Sequence, residues 1–287
     1  MRFAHLHREG QPGPRLALVD GDVAWFLDEH IENAPALLQQ LIERGPAELE
    51  RVRTASAGLS GGEALERLRF DPAVIAPPHI LAIGANYAAH ANELALKAQQ
   101  AMTVFGLWPN SLSAHEATVT WPADVSTQVD YEAELGVIIG KAARNVSVRD
   151  ALDYVWGYTV VNDITARDIQ FREAQWSRCK SFDGFTPVGP VVVTADEIPD
   201  PQSLWLTCVL DDEIMQDGSA ADMIRPVAQF ISELSQSATL LPGTLISTGS
   251  PGGAGYSRNP QVFLRDGSIV TVTIGGIGSL RSYCQVI

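Results

Sequence analysis

Short apolar runs of strand length dominate the chain beyond residue 76, and they constrain its fold more than any other feature. Runs of about four to eight apolar residues between turn signals are typical of buried strands. Such runs lie at His79–Gly84, Glu134–Gly140, Val155–Asn162, Pro190–Thr194, Leu204–Leu210 and Ser268–Ile274. Helical patterns are fewer and lie at Tyr87–Gln100, Ala166–Trp176 and Val227–Ser235. Because strands do not alternate regularly with helices, the sequence predicts a mainly β fold with a few helices, of the α+β class, and disfavours a doubly wound parallel sheet.

The first 75 residues have a different pattern. Residues 1–30 alternate in strand fashion around turn signals, and residues 32–70 are rich in Ala, Leu, Glu and Arg at helical spacing. Two proline-containing segments follow, Phe70–Pro72 and Ala76–Pro78, and neither can continue a helix. We therefore predict a small N-terminal α/β domain over residues 1–75 and a catalytic domain over residues 76–287.

Charge and composition limit the class of partner. The 287 residues carry a net charge of −14 and no stretch rich in Lys or Arg, which argues against a nucleic-acid or anionic-membrane partner. Three cysteines without a C-x-x-C pair favour a reducing compartment over a disulfide framework or a zinc site. No apolar run approaches the length of about 18 residues that a membrane helix needs, and the N-terminus has no apolar signal region. We expect a cytoplasmic protein that acts on a small molecule.

Three carboxylates stand at the ends of two strand-like runs. Glu132 and Glu134 are two residues apart, so on a strand they point to the same face. Asp163 directly follows the run Val155–Asn162. Like charges on an apolar element repel and are costly to desolvate, and a hard divalent cation neutralises them best. All-oxygen ligation suits Mg²⁺, Mn²⁺ or Ca²⁺ rather than Zn²⁺. The alternative is an edge strand with both Glu side chains in water.

Two further segments carry groups suited to acid–base chemistry. His90 and Glu93 are three residues apart on a predicted helix, where a carboxylate orients an imidazole as a general base towards water. The alternative is a surface ion pair. Lys180 precedes the Gly- and Pro-containing turn Phe182–Pro190, from which it can stabilise an oxyanion or enolate. The alternative there is a solvated surface base.

A Gly-rich loop, Ser247–Gly255, follows the short apolar run Leu240–Ile246. It matches neither G-x-G-x-x-G nor the P-loop, and it lacks the G-x-S-x-G of a nucleophile elbow, so Ser250 is a poor nucleophile candidate. The backbone N–H groups of the loop and the Ser250 hydroxyl are able to hold a carboxylate. The loop is equally consistent with a tight turn.

Taken together and in order, these segments resemble the fumarylacetoacetate hydrolase family. The matching pieces are IGANYAAHANE (83–93), DYEAELGVIIGKAARNV (130–146), GYTVVNDITARDIQ (157–170), KSFDGFTPVGP (180–190), LLPGTLISTGSPGGAG (240–255) and DGSIVTVTIGGIGSL (266–280). The resemblance implies a mixed β-sandwich roll as catalytic domain, preceded in many members by a small N-terminal domain, and usually a homodimer.

The same resemblance assigns roles to individual residues. It implies an Mg²⁺ or Mn²⁺ site at Glu132, Glu134 and Asp163, a catalytic lid pair at His90 and Glu93, and an active-site Lys at Lys180. The residues it assigns to substrate binding lie in the same matching segments. They are Gln170, Ser250, Tyr87 and Arg167.

The chain also departs from the family pattern. Many members carry an F-x-K-P motif, whereas Phe105–Pro109 reads FGLWP and has no Lys. Leu107 and Trp108 in its place predict a substrate that is bulkier or less anionic at its far end.

The predicted function is metal-dependent hydrolysis of a C–C bond in a 2,4-dioxo acid. Decarboxylation, isomerisation or hydration of a 2-oxo acid is the alternative on the same chemistry. A non-catalytic binding protein and a serine hydrolase using Ser250 are further alternatives.

Overall fold

The computed structural model describes residues 1–11, 13–93 and 102–287. In chain order its strands are β1 (Arg2–Arg8), β2 (Arg15–Asp20), β3 (Val23–Phe26), β4 (Glu63–Ala64), β5 (Leu68–Phe70), β6 (Ile80–Gly84), β7 (Thr103–Gly106), β8 (Leu112–Ser113), β9 (Ala117–Trp121), β10 (Val129–Asp130), β11 (Ala133–Ile139), β12 (Val155–Asn162), β13 (Thr165–Ala166), β14 (Thr186–Thr194), β15 (Trp205–Leu210), β16 (Glu213–Ser219), β17 (Leu245–Ser247), β18 (Ile269–Ile274) and β19 (Gly278–Val286). Its α-helices are α1 (Leu27–His30), α2 (Leu38–Glu43), α3 (Pro46–Ser56), α4 (Ala88–Glu93), α5 (Arg167–Gln170) and α6 (Val227–Ser237).

Two mixed sheets form the body of the fold. The larger runs in the order β4-β3-β2-β1-β14-β12-β11-β17-β6-β7, with β5 added to β1 and β8 to β14. The smaller runs β16-β15-β18-β19-β9. Most neighbours are antiparallel, while β6–β17, β8–β14 and β9–β19 are parallel pairs. The predicted α+β class is confirmed.

Strand β11 lies in the interior of the larger sheet, between β12 and β17. All seven of its residues are buried, which explains why its sequence is continuously apolar rather than alternating. The alternative of an edge strand with Glu132 and Glu134 in water is therefore wrong. Register pairs Ala133 with Asn162, and the Asp163 N–H donates to the Glu132 carbonyl at 2.9 Å. This pairing brings the third carboxylate to the other two.

The N-terminal region continues the same large sheet. Strand β1 pairs with β14, with Phe3 opposite Val192. The buried ring of His5 joins two N-terminal segments, because its Nε2 accepts the Leu38 N–H at 3.0 Å and its Nδ1 lies 3.1 Å from the Pro72 carbonyl oxygen. A domain boundary at residue 75 stays a prediction.

Two predicted helices are shorter or less fully described in the structure than the sequence suggests. The helix expected over Ala166–Trp176 is wrong beyond Gln170, since only α5 is helical there. The chain turns after Gln170, and the Trp176 ring packs edge-on against Phe105, with centroids 5.6 Å apart. The helix expected over Tyr87–Gln100 is present as α4, and residues 94–100 lie outside the described residues. In the described ranges, no helix is both long and apolar enough to cross a membrane.

Candidate active site

Glu132, Glu134 and Asp163 form a buried cluster between the two central strands. One carboxylate oxygen from each lies within 4.8 Å of the others, and all three side chains are buried. Glu132 stands just before β11 and Glu134 within it, while Asp163 follows β12. The period-two spacing of the E-x-E thus places both Glu side chains on the face where Asp163 arrives.

Cationic side chains converge on Glu132. Lys180 Nζ lies 2.5 Å from both Glu132 Oε2 and Asp163 Oδ2, and it also donates to Thr165 Oγ1 at 2.8 Å. The guanidinium of Arg167 donates to Glu132 Oε1 at 2.8 Å. Burial alone would raise the pKa of Glu132, but Arg167, Lys180 and His90 hold it well below its usual range. Glu132 is therefore ionised.

Glu134 has hydrogen-bond donors, but among the described residues it forms no ion pair with a Lys, Arg or His side chain. Ser247 Oγ donates to its Oε2 at 2.6 Å and the Gly249 N–H at 2.8 Å. Burial and the neighbouring charges of Asp163 and Glu132 raise the pKa of Glu134 to about 8. Burial, opposed by Lys180, likewise raises the pKa of Asp163 to about 6, and its buried Oδ1 has no hydrogen-bond partner in the described part of the chain. The cluster thus holds more carboxylate than its surroundings neutralise, and its all-oxygen donor set fits a hard divalent cation.

His90 stands over this cluster from α4. Its Nε2 lies 2.9 Å from Glu132 Oε1, and its Nδ1 lies 3.7 Å from Glu93 Oε2. Burial lowers the pKa of His90, but the contacts with Glu132 and Glu93 outweigh it and raise the pKa overall. The Gly253 N–H donates to both oxygens of Glu93, at 2.9 and 3.0 Å. The alternative of a solvated surface pair is wrong for the imidazole, which is only 4% exposed.

The Gly-rich loop binds carboxylates of the protein itself. Besides Gly249 to Glu134 and Gly253 to Glu93, the N–H groups of Gly255 and Tyr256 donate to Asp130 at 2.8 and 3.0 Å. Asp130 in turn accepts from Arg167 Nε at 2.8 Å. The loop therefore holds three carboxylates in place. Glu134 is a proposed metal ligand, Glu93 is the partner of the proposed base His90, and Asp130 binds Arg167.

A small cavity opens beside the carboxylates. Its volume is about 10 Å³, room for about one water molecule. Its polar lining beyond the three carboxylates consists of His90, Gln170, Lys180 and Ser250, and its larger apolar lining residues are Ile83, Phe105 and Trp176. The Trp176 ring lies against Gly84, where a Cβ would come within 2.4 Å of the indole. The structure thus brings together eight of the ten predicted site residues, with Glu93 one layer behind the cavity.

Tyr87 and Arg167 occupy other positions. Neither lines the cavity, and Arg167 is 0% exposed, with its guanidinium bonded to Asp130, Glu132 and Gln170. Their predicted contact with substrate stays a prediction. Leu107 and Trp108 also lie away from the cavity lining, Leu107 in the core and Trp108 47% exposed.

Several residues of the site escaped the sequence analysis. Asp130 precedes the E-x-E by two positions, so the period-two spacing carried a signal for it. Thr165 follows Asp163 by two positions and carried a similar signal. Gln216 and the cavity wall of Phe105 and Trp176 carried none, because each is brought to the site by a distant segment. Gln216 comes from the smaller sheet.

Comparison with known proteins identifies the family. The model for the C-terminal part of fumarylacetoacetate (FAA) hydrolase matches residues 79–285. The chain therefore belongs to the fumarylacetoacetate hydrolase family. An uncharacterised protein of Staphylococcus aureus strain USA300 is 41% identical over 216 residues, which are 75% of this chain and 72% of the relative.

Solved structures of the family share the whole fold. A fumarylacetoacetate hydrolase from psychrophilic Exiguobacterium antarcticum is 31% identical, with a TM-score of 0.86 and full coverage of both chains. A maleylpyruvate hydrolase from Sphingobium sp. SYK-6, in complex with manganese (II) ion and pyruvate, is 28% identical, with a TM-score of 0.83 over 100% of this chain and 99% of the other. A 2-hydroxyhepta-2,4-diene-1,7-dioate isomerase from Mycobacterium marinum is 27% identical, with a TM-score of 0.77 over 100% and 98%. The family and the carboxylate cluster together define a divalent-metal site in a family of hydrolases and isomerases.

Proposed function

We propose that the protein is a metal-dependent hydrolase that cleaves a C–C bond of a 2,4-dioxo acid of the acylpyruvate type, with Mg²⁺ or Mn²⁺ held by Glu132, Glu134 and Asp163. The observation that carries the proposal is the contact of 2.9 Å between His90 Nε2 and Glu132 Oε1, which puts a base directly beside the three carboxylates. Water activation needs such a base, whereas decarboxylation does not. The manganese and pyruvate of the related maleylpyruvate hydrolase support the same class of substrate.

The groups around the cluster fix the charge of Glu132 and the direction of Glu134, two of the ligands that would bind the cation. A bound divalent cation supplies Lewis-acid polarisation of carboxylate and carbonyl oxygens. Arg167 and Lys180 keep Glu132 ionised through their contacts of 2.8 and 2.5 Å, and Gly249 fixes the direction of the Glu134 carboxylate. The chain therefore presents its ligands in defined orientations.

His90 and Glu93 form the proton-transfer pair. His90 removes a proton from a water molecule, and the oxygen of that water adds to the acyl carbonyl of the substrate. Glu93 faces Nδ1 of the ring, and its own position is held by the Gly253 N–H. A carboxylate in this place orients the ring and stabilises the imidazolium after the proton has moved.

Lys180 acts in the second step, the cleavage of the C–C bond. When the C–C bond breaks, its electron pair passes to the pyruvate fragment, and a proton is needed at the carbon. The Lys180 ammonium is buried and lines the cavity, and it stabilises this charge or donates the proton. The products are a carboxylic acid and pyruvate.

The apolar side of the cavity suits the acyl part of the substrate. Ile83, Phe105 and Trp176 line it, and Lys180 is the single Lys or Arg among the described lining residues. A short, uncharged acyl group matches this lining better than a second carboxylate does.

A screen of substrates tests the proposal. The protein is incubated with Mg²⁺ or Mn²⁺ and with acylpyruvates, oxaloacetate and unsaturated 2-oxo diacids, and the products are identified. We expect hydrolysis of an acylpyruvate to pyruvate and a carboxylic acid, abolished by chelator. Isomerisation is the second candidate, because a related isomerase shares the fold and His90 is equally placed to move a proton between carbons. Isomerisation or decarboxylation without any hydrolysis would reject the first choice.

A further inference from the structure

We propose that Gln216 is a positioning residue that fixes the hydroxyl of Ser250 as a hydrogen-bond donor to an oxygen of the substrate. The proposal rests on the proposed function, since it concerns how a 2-oxo acid is bound in the same cavity. It assigns a role to a residue of the smaller sheet, which stands apart from the segments that carry the carboxylates, the base and Lys180.

Contacts on both sides determine the direction of the Gln216 amide. Gln216 lies on β16 and is 1% exposed. Its Oε1 accepts the Ala133 N–H at 2.8 Å, and its Nε2 donates to the Pro251 carbonyl at 2.8 Å and to Ser250 Oγ at 2.7 Å. A backbone N–H can only donate and a carbonyl can only accept, so the reverse orientation of the amide would break both backbone contacts. The amide therefore presents N–H to Ser250.

This contact determines what the Ser250 hydroxyl can do. A hydroxyl that accepts a hydrogen bond still has its own hydrogen to donate. Ser250 is buried and lines the cavity, and among the described residues no acceptor takes this hydrogen. The hydrogen is thus available to a ligand in the cavity, which would satisfy a donor that is otherwise costly to bury.

A second amide in the cavity is oriented in the same way. Arg167 donates from its Nη1 to Gln170 Oε1 at 2.9 Å, and because a guanidinium has only donors, the oxygen must face it. The Gln170 NH₂ is left as a donor, and Gln170 lines the cavity. Ser250 and Gln170 therefore both offer donors beside the Lys180 ammonium. Such a set recognises a carboxylate oxygen, which accepts several hydrogen bonds.

Gln216 also connects this donor to the metal ligands. Ala133, whose N–H it accepts, lies between Glu132 and Glu134. One buried amide thus joins the strand that carries Glu134 to the loop that carries Ser250.

The test is a double-mutant cycle between Gln216 and Ser250. In Gln216→Glu the carboxylate still accepts the Ala133 N–H but has no hydrogen for Ser250, so the hydroxyl turns to donate to it. Ser250→Ala removes the donor, Ser250→Thr retains it, and the double variant combines Gln216→Glu with Ser250→Ala. Pyruvate binding is measured by calorimetry at saturating Mn²⁺, together with Mn²⁺ affinity, thermal unfolding, KM and kcat.

We expect Gln216→Glu and Ser250→Ala each to weaken pyruvate binding by about tenfold, as the loss of one hydrogen bond to a charged group predicts. The double variant should lose no more than either single one, because both changes remove the same donor. Ser250→Thr should bind like the unaltered protein. KM should rise more than kcat falls, and Mn²⁺ affinity should be retained.

Two results would overturn the inference. One is unchanged pyruvate binding in Gln216→Glu, and the other is a double variant in which the two losses multiply. If Gln216→Glu does not fold, the same cycle is run with Gln216→Met, which removes the amide N–H that orients the Ser250 hydroxyl and adds no charge. An unaltered protein that neither binds pyruvate with Mn²⁺ nor cleaves any acylpyruvate would reject the proposed function, and this inference with it. An active protein without coupling would reject this inference alone.

Discussion

Nε2 of His90 lies 2.9 Å from Oε1 of Glu132, so the proposed base directly contacts a proposed metal ligand. The same oxygen of Glu132 accepts from Arg167, and its other oxygen lies 2.5 Å from Lys180 Nζ. Glu132 therefore contacts Arg167, Lys180 and the His90 ring at the same time.

Removing one carboxylate of the cluster should abolish metal binding. Asp163→Asn keeps the shape of the side chain but removes its charge. Loss of a partner outside the ligand shell already costs about 10–100-fold in metal affinity, so loss of a ligand should cost at least that. Titration with Mn²⁺ and an activity assay check this. Glu66→Gln, at an exposed position, is the control. Full activity of Asp163→Asn in the presence of chelator would contradict the metal site.

Removing the base should separate chemistry from binding. His90→Gln should lower kcat for acylpyruvate hydrolysis by about 10²–10⁴-fold, the usual contribution of a general base. Mn²⁺ and pyruvate binding should persist, since neither needs the imidazole. His79→Gln, at an exposed position, serves as control. Hydrolysis at the unaltered rate in His90→Gln would assign water activation to another group.

A methyl group at residue 252 should displace Glu93. A Cβ built on Gly252 lies 2.8 Å from Glu93 Oε1 and 3.1 Å from Ala89 Cβ, so α4 or the Glu93 side chain must shift. Gly252→Ala should therefore lower kcat, with little change in global stability. Gly106→Ala is a matched control, because the nearest atom to its Cβ lies at 3.9 Å. Equal kcat values in the two variants would show that catalysis does not depend on this position of the Glu93 carboxylate.

Stability should depend on pH through His5. Burial lowers the pKa of His5 from its ordinary value of 6.5, opposed by the hydrogen bond to Pro72. A lowered pKa of a base means that the unfolded chain takes up the proton first as the pH falls. The folded state is then favoured fully above pH 6.5 and loses stability below it, by at most about 1.4 kcal/mol per pH unit.

The variant His5→Gln isolates this effect. Its amide can replace both contacts of the ring, to the Leu38 N–H and the Pro72 carbonyl, without titrating. The free energy of unfolding of both proteins is measured in urea between pH 8 and 5. Below pH 6.5 the unaltered protein should lose stability relative to the variant. Parallel curves throughout that range would exclude His5 as the source.

The strands of the catalytic region were largely predictable, because a strand that is buried on both faces reads as a continuous apolar run. Val155–Asn162 was predicted with the bounds that β12 has, and Glu134–Gly140 corresponds to β11 within a residue. The helix over Ala166–Trp176 was wrong, because its helical composition does not record that Trp176 packs against Phe105 and Gly84. Local pattern cannot register a contact made by a distant segment.

The sequence by itself determined the three carboxylates, the His90–Glu93 pair and Lys180 as candidates, because period-two and helical spacing place side chains on a common face. Only the tertiary structure decided which groups neutralise which charge. In the folded protein Arg167 donates to Glu132 and does not line the cavity. The Gly-rich loop binds carboxylates of the protein itself, and Gln216 of the smaller sheet donates to Ser250. The physical reason is that hydrogen bonds and ion pairs between buried groups depend on how sheets pack against each other, and no local spacing along the chain encodes that packing.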